Sequence, residues 1–283
     1  MATKVLMFPG QGAQYKGMGK EVFNLYPDLT QEASARLGFD LVDLCLNNRD
    51  NLLDRTDYTQ PALYFVNALS ALQKAPDVPY CIGHSLGEYN ALLYAGVFDL
   101  FTGLELVKKR ATLMHQCAQG AMAVVQGKSP SELQNQIEIF GFNNIHVANA
   151  NSATQVVVSG DREQLAQLLA VLTKNTKTKA FLLKTSGAFH SPYMKPAVAA
   201  FNDYLSDRTF NAPEKIVISN FTASPYTALN LKENLANQIA GRVRWHDSIN
   251  YLLNTGLEPD QFQEVGNTEF LTKLLADIAL ETA

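Results

Sequence analysis

The sequence predicts an α/β protein with a small two-layer domain inserted into a larger one. Three observations carry the prediction. The apolar run KVLMF from Lys4 stops at a glycine-containing turn, and VPYCIG from Val78 does the same. Both runs lead into helix-compatible stretches. From Gly120 the texture changes to strand, helix, strand, strand, helix, strand over 121–186, which is the ferredoxin-like order.

Lys4 to Phe8 reads as a buried strand ended by Pro9-Gly10-Gln11-Gly12, where glycines let backbone amides approach a ligand closely. After a polar stretch, Tyr58-Thr59-Gln60-Pro61 leads into a helix with Pro61 in its first turn. Leu63, Val66, Leu69 and Leu72 recur at helical spacing and are expected in the core. VPYCIG is a second strand, and GHSLGEYNALLYAG turns from polar to helical before stopping at Gly96. A longer helix is expected from Thr102 to about Cys117, carrying Lys108, Lys109 and Arg110. In the small domain, MAVVQG, NIHVAN, TQVVVSG and KAFLLK read as strands, with SELQNQIEIF and DREQLAQLLAVLTK as its helices. VISN and QFQEVG then return to the main sheet. The expected division is 1–120 with 187–283 as the large domain and 121–186 as the small one.

Composition bounds the function. Of 283 residues, 47% are apolar and 18% charged, ordinary values for a globular enzyme that needs no covalent staples. A net charge of −4 argues against general nucleic-acid binding. Cys45, Cys81 and Cys117 are odd in number and widely spaced, which points to a reducing compartment rather than a disulfide framework or a zinc site. The apolar run before Pro9 is too short for a signal-peptide core or a membrane span, so a cytoplasmic location is expected.

Gly83-His84-Ser85-Leu86-Gly87 fits G-x-S-x-G with a strand before it and a helix after it. In that setting the turn lifts the serine hydroxyl out of the sheet and places it at a helix N-terminus, which favours developing negative charge. Such a serine needs a base, and five histidines are available. His84 adjoins Ser85 but should point away from it. His115 falls on a helix, His146 in the small domain, and His246 beside Trp245 at a helix start. His190 lies in SGAFHSPYM, an irregular loop of the kind that carries catalytic groups, although spacing alone does not single it out. Arg110 beside two lysines reads by default as part of a solvated face. An inward-pointing arginine would instead seek a carboxylate.

The segments FPGQGAQ, GHSLGEYNALLYAG, VKKRATLM and SGAFHSPYM, in this order and spacing, resemble the malonyl-CoA:acyl carrier protein transacylase family. The resemblance extends to YTQPALY, ANANSATQVVVSG and RVRWHDSI, and is greatest to the discrete acyltransferases that load polyketide synthases in trans. It implies an α/β-hydrolase-like large domain with a parallel sheet core and an inserted ferredoxin-like domain. It further implies Ser85 as the acylated nucleophile and His190 as its base, oriented by the backbone carbonyl of Gln238 rather than by a carboxylate. The amides of Gln11 and Leu86 match the oxyanion hole, and Arg110 matches the partner of the malonyl carboxylate. Phe189 matches a bulky position associated with malonyl over methylmalonyl, and Gln60 and Asn151 are candidates to line the acyl or pantetheine path.

The implied substrates are malonyl-CoA and the phosphopantetheine thiol of an acyl carrier protein, in polyketide or fatty-acid synthesis. No permanently bound cofactor, metal, nucleic acid or membrane is expected, and a monomer is the default. The carrier is acidic in this family, so Lys174, Lys177, Lys179 and Lys184, with Lys108 and Lys109, are candidates for its docking. An acyl hydrolase acting on carrier proteins is the rival reading. Three places depart from the family pattern: Ala111 after the arginine, Arg242 where proline is usual, and Gly266-Asn267-Thr268-Glu269 near the C-terminus.

Overall fold

The computed structural model describes residues 2–174 and 177–282, without the side chain of Thr282. Eight strands follow in chain order: β1 (Val5–Phe8), β2 (Tyr80–Gly83), β3 (Ala121–Gln126), β4 (Ile145–Ala150), β5 (Gln155–Gly160), β6 (Lys179–Leu182), β7 (Ile216–Ile218) and β8 (Phe262–Glu264). They form two sheets.

The first sheet is parallel, in the order β7-β2-β1-β8. Its central strands are buried apart from the half-buried Tyr80 at the start of β2, as expected for a parallel sheet covered on both faces. Alternation along them separates two cores. Leu6, Phe8, Cys81 and Val217 face the large cluster that contains Leu69, Leu92 and Val107. Val5, Met7, Ile82 and Ile218 face Trp245, Ile249, Leu252, Leu271 and Ile278 on the other side. Phe8 pairs with Gly83, so β1 and β2 end at the same level. The turns that follow them therefore lie side by side at the carboxyl edge of the sheet, where α/β folds bind ligands.

The second sheet is antiparallel, in the order β4-β5-β3-β6, and its elements run strand, helix, strand, strand, helix, strand. That is the ferredoxin-like arrangement. One face packs on the helices Pro130–Ile139 and Arg162–Leu172 through Leu133, Ile137, Leu165 and Leu168. The other face sends Met122, Ala148 and Val157 into the large core. The second sheet is also tied by backbone bonds to the segment that precedes Trp245. Val243 donates to Ala148 at 2.8 Å and accepts from Ala150 at 2.9 Å, where β4 bulges between Val147 and Asn149.

Two local expectations change. The helix around Pro61 begins at Thr56 and runs to Lys74, so the proline sits beyond the first turn. Its neighbours there are buried and hold the helix through the missing donor. Leu72 is 59% exposed, because the last turn of that helix leaves the core. Elsewhere Gly96 closes the helix Gly87–Tyr94 with φ +75°, and the second long helix spans Leu100–Gln116. Among the described residues, no helix is long and apolar enough to cross a membrane.

Candidate active site

The turn after β2 is built by close backbone packing. A side chain at Gly83 would lie 1.9 Å from the carbonyl carbon of Gly87, and one at Gly87 would lie 2.0 Å from the oxygen of Phe8. Only glycine fits either position. Between them Ser85 takes φ +51°, a left-handed conformation that costs a serine about 1–3 kcal/mol. Asn220, fully buried after β7, holds it there. The Asn220 Oδ1 accepts from the Ser85 amide at 2.6 Å, and its Nδ2 donates to the Gly83 oxygen at 2.8 Å.

His190 also has a left-handed backbone, with φ +56°. Its loop is fixed by the Ser191 hydroxyl donating to the Ala188 oxygen at 2.6 Å. The imidazole Nε2 lies 2.8 Å from Ser85 Oγ, and Nδ1 lies 2.9 Å from the Gln238 oxygen and 3.1 Å from the Gly241 oxygen. Carbonyls only accept, so Nδ1 carries the hydrogen and Nε2 is left to receive the serine proton. Burial, and then the Arg110 charge, push the imidazole down to about 3, so it is neutral at physiological pH.

Arg110 is fully buried at the same hydroxyl. Its Nη2 donates to Ser85 Oγ at 3.1 Å and to Gln238 Oε1 at 2.8 Å, and its Nη1 donates to Gln60 Oε1. Every one of these acceptors is neutral, and Nε has no partner. Burial lowers the guanidinium pKa, the direction set by a cation held without a direct carboxylate.

The turn after β1 closes the other side. A side chain at Gly10 would lie 2.2 Å from the His84 oxygen, so this loop rests directly on the serine turn. Among the described residues, the amides of Gln11 and Leu86 donate to no protein acceptor. Two unused donors, one on the serine turn and one on the loop that rests against it, are suited to an oxyanion.

A profile of the acyl transferase domain family matches residues 5–265. The chain belongs to that family. It is 44% identical to the polyketide biosynthesis malonyl CoA-acyl carrier protein transacylase BaeC of Bacillus velezensis over 98% of this chain and 96% of the relative. It is 41% identical to the corresponding PksC of Bacillus subtilis, over 95% and 94%. The crystal structure of a malonyl CoA-acyl carrier protein transacylase from Burkholderia pseudomallei superposes with a TM-score of 0.96 at 41% identity, each chain covered completely.

In this acyltransferase the other residues singled out by sequence take the following places. Gln60 and Asn151 are both engaged with the protein. The Gln60 Nε2 donates to Thr56 Oγ1 at 2.7 Å, Thr56 donates to Gln11 Oε1 at 2.8 Å, and the Asn151 Oδ1 lies 2.9 Å from His84 Nε2. His84 is thereby turned from Ser85 and packed against Trp245. His115 lies 3.6 Å from Asp57 and His246 2.9 Å from Glu281, while His146 sits on β4. Phe189 is buried in the large core. Lys108 bonds the Arg36 oxygen and Lys109 lies over the Tyr204 ring, so neither ammonium joins Arg110. Lys174, Lys177, Lys179 and Lys184 are exposed. Of the departures, Ala111 is fully buried, Arg242 Nε reaches the Val147 oxygen at 3.3 Å, and Gly266 has φ +94°. The carbonyls of Gln238 and Gly241 still face His190 with Arg242 in place.

Sequence reasoning missed Glu88, Asn220, Tyr226 and the side chain of Gln238. Glu88 is fully buried and accepts from the Asn220 amide at 3.0 Å, from Tyr226 Oη at 2.7 Å and from Gln238 Nε2. Burial pushes its carboxyl up to about 7, against those three donors and the Arg110 charge. One signal was present: an acid at the start of the largely apolar helix that follows the serine.

Proposed function

We propose that this chain transfers a malonyl group from malonyl-CoA, through an ester on Ser85, to the phosphopantetheine thiol of an acyl carrier protein. The observation that carries the reading is the buried Arg110 guanidinium 3.1 Å from the hydroxyl that His190 bonds at 2.8 Å. A guanidinium without a carboxylate of its own suits an acyl group that brings one. A non-carboxylated acyl chain would leave its charge without a counter-ion, at a penalty of about 1–3 kcal/mol or more.

The chemistry follows from the hydrogen-bond directions. The Ser85 proton moves to His190 Nε2 as Oγ attacks the thioester carbonyl, and Nδ1–H stays on the Gln238 and Gly241 oxygens. The tetrahedral oxyanion is received by the Gln11 and Leu86 amides, donors of a kind worth about a hundredfold each in rate. The carbon–sulfur bond breaks, and the CoA sulfur takes the proton from Nε2. In the second half the carrier thiol gives its proton to Nε2, its sulfur attacks the ester, and Ser85 Oγ leaves with that proton. Arg110 holds the imidazole pKa down, so a malonyl carboxylate on Arg110 also makes His190 a stronger base. Recognition thereby feeds into the chemical step.

The names of the relatives, both malonyl CoA-acyl carrier protein transacylases of polyketide biosynthesis, support the same substrates. Phe189, next to the base, is assigned to exclusion of an α-methyl branch. The exposed lysines of 121–186, proposed as a separate small domain, are assigned to the acidic carrier. Intact-mass analysis with malonyl-CoA, with and without a carrier protein, tests the reading. A malonyl adduct that is lost in Ser85→Ala and passes to the carrier is expected. Rapid release of free malonate would make the chain a hydrolase, and absence of an adduct would refute both.

A further inference from the structure

Among the described residues Glu88 is the one buried carboxylic acid and Arg110 the one buried guanidinium or ammonium group, and no hydrogen bond or ion pair joins them. The Gln238 amide stands between them. Its Oε1 accepts from Arg110 Nη2 at 2.8 Å, and its Nε2 donates to the Ser85 oxygen at 2.8 Å and to Glu88 Oε2. The backbone oxygen of the same residue holds His190. One residue therefore touches the nucleophile, the base and the guanidinium.

An amide fits such a slot in two orientations of similar shape, and hydrogen-bond polarity chooses between them. We infer that Glu88 is a positioning residue: its carboxylate dictates which end of the Gln238 amide faces Arg110, and so holds the guanidinium ready for a carboxylated acyl group. The inference rests on the malonyl reading above.

The geometry makes the effect of Glu88→Gln definite. The Asn220 amide can only donate, and it is aimed at Oε1, so that position must remain an oxygen. The new NH2 must then occupy the Oε2 position, facing the NH2 of Gln238. Two donors cannot share that contact. If the Gln238 amide turns over, its NH2 meets Arg110 and its oxygen meets the Ser85 carbonyl. If it does not turn, it is pushed off Glu88's position and loses its hold on both. Either way Arg110 loses a charge-assisted partner, while the bonds from His190 to Ser85 Oγ and to the Gln238 backbone do not involve that amide. Tyr226→Phe removes a second donor from the same Oε1 and leaves the Asn220 amide in place, so it does not reverse any polarity.

The test is the ratio of kcat/KM for malonyl-CoA to that for acetyl-CoA, measured by mass as acylation of Ser85. Wild type must form the malonyl adduct; if it does not, the parent reading fails and not this one. In Glu88→Gln, with folding checked by thermal denaturation, the malonyl-to-acetyl ratio should fall by about tenfold or more, the scale of a lost charged hydrogen bond. Tyr226→Phe should change it by less than about twofold. In an Arg110→Ala background, Glu88→Gln should have no further effect on the ratio. Should Glu88→Gln not fold, Gln238→Met keeps the backbone acceptor of His190, removes the amide, and should lower the ratio to the same extent. An unchanged ratio in the folded variant, whatever its overall rate, overturns the inference. So does an equal fall in Tyr226→Phe, or a full effect without Arg110.

Discussion

Asn220→Ala should loosen the serine turn. The substitution removes the acceptor of the Ser85 amide at 2.6 Å and the donor to the Gly83 oxygen at 2.8 Å, both at a position with no solvent exposure. Two buried groups left without partners cost about 1–3 kcal/mol each, and part of that returns as Ser85 relaxes from φ +51°. A net loss of about 2–4 kcal/mol follows, which corresponds to a fall of about 3–7 °C in Tm for a chain of this size. The rate should suffer more than the stability suggests. A hydroxyl displaced by about 1 Å from its base loses about a hundredfold in rate. The assay is pre-steady-state acylation by malonyl-CoA, beside differential scanning calorimetry. Asn220→Asp keeps the acceptor and loses the donor, so it should fall between the two. A variant with wild-type Tm and wild-type acylation would show that the glycines alone hold the turn, and would refute the reasoning.

Three further outcomes are expected. Phe189→Ser should admit methylmalonyl-CoA, read by competition between the two thioesters; an unchanged preference for malonyl removes Phe189 from selectivity. The buried imidazole of His190 titrates at about 3 rather than the ordinary 6.5, so below 6.5 the unfolded chain binds a proton that the folded one refuses. Its contribution is complete above 6.5 and is lost as pH falls towards 3, by up to about 4–5 kcal/mol at about 1.4 kcal/mol per unit. The stability of wild type relative to His190→Gln should decline over that window in denaturant melts, and a flat difference would contradict it. Charge reversal at Lys177, Lys179 and Lys184 should raise KM for the carrier protein and leave acylation by malonyl-CoA intact; loss of both would indicate damage to the fold.

The serine turn was legible because its signature is local. Strand, glycine, serine, glycine and helix occupy adjacent positions, and the contacts that exclude any side chain at Gly83 lie within five residues of chain. The antiparallel sheet was legible for a similar reason: the ladder of β3 with β5 and the two helices beneath it are written as uninterrupted periodic segments. The start of the helix at Thr56 was not, since a proline signal cannot tell a first turn from a second turn held by buried neighbours. His190 could be named only through resemblance, because it reaches Ser85 across 105 residues.

What the sequence by itself determined was the set of reactive groups and the turns that present them, for these depend on neighbours along the chain. What the tertiary structure decided was their state. Gln238 meets Ser85 across 153 residues and Glu88 across 150, and Asn220 meets Ser85 across 135. Neutral His190 and a guanidinium without a carboxylate follow from exclusion of water and from the polarity of those distant partners, and neither is a property of any segment read alone.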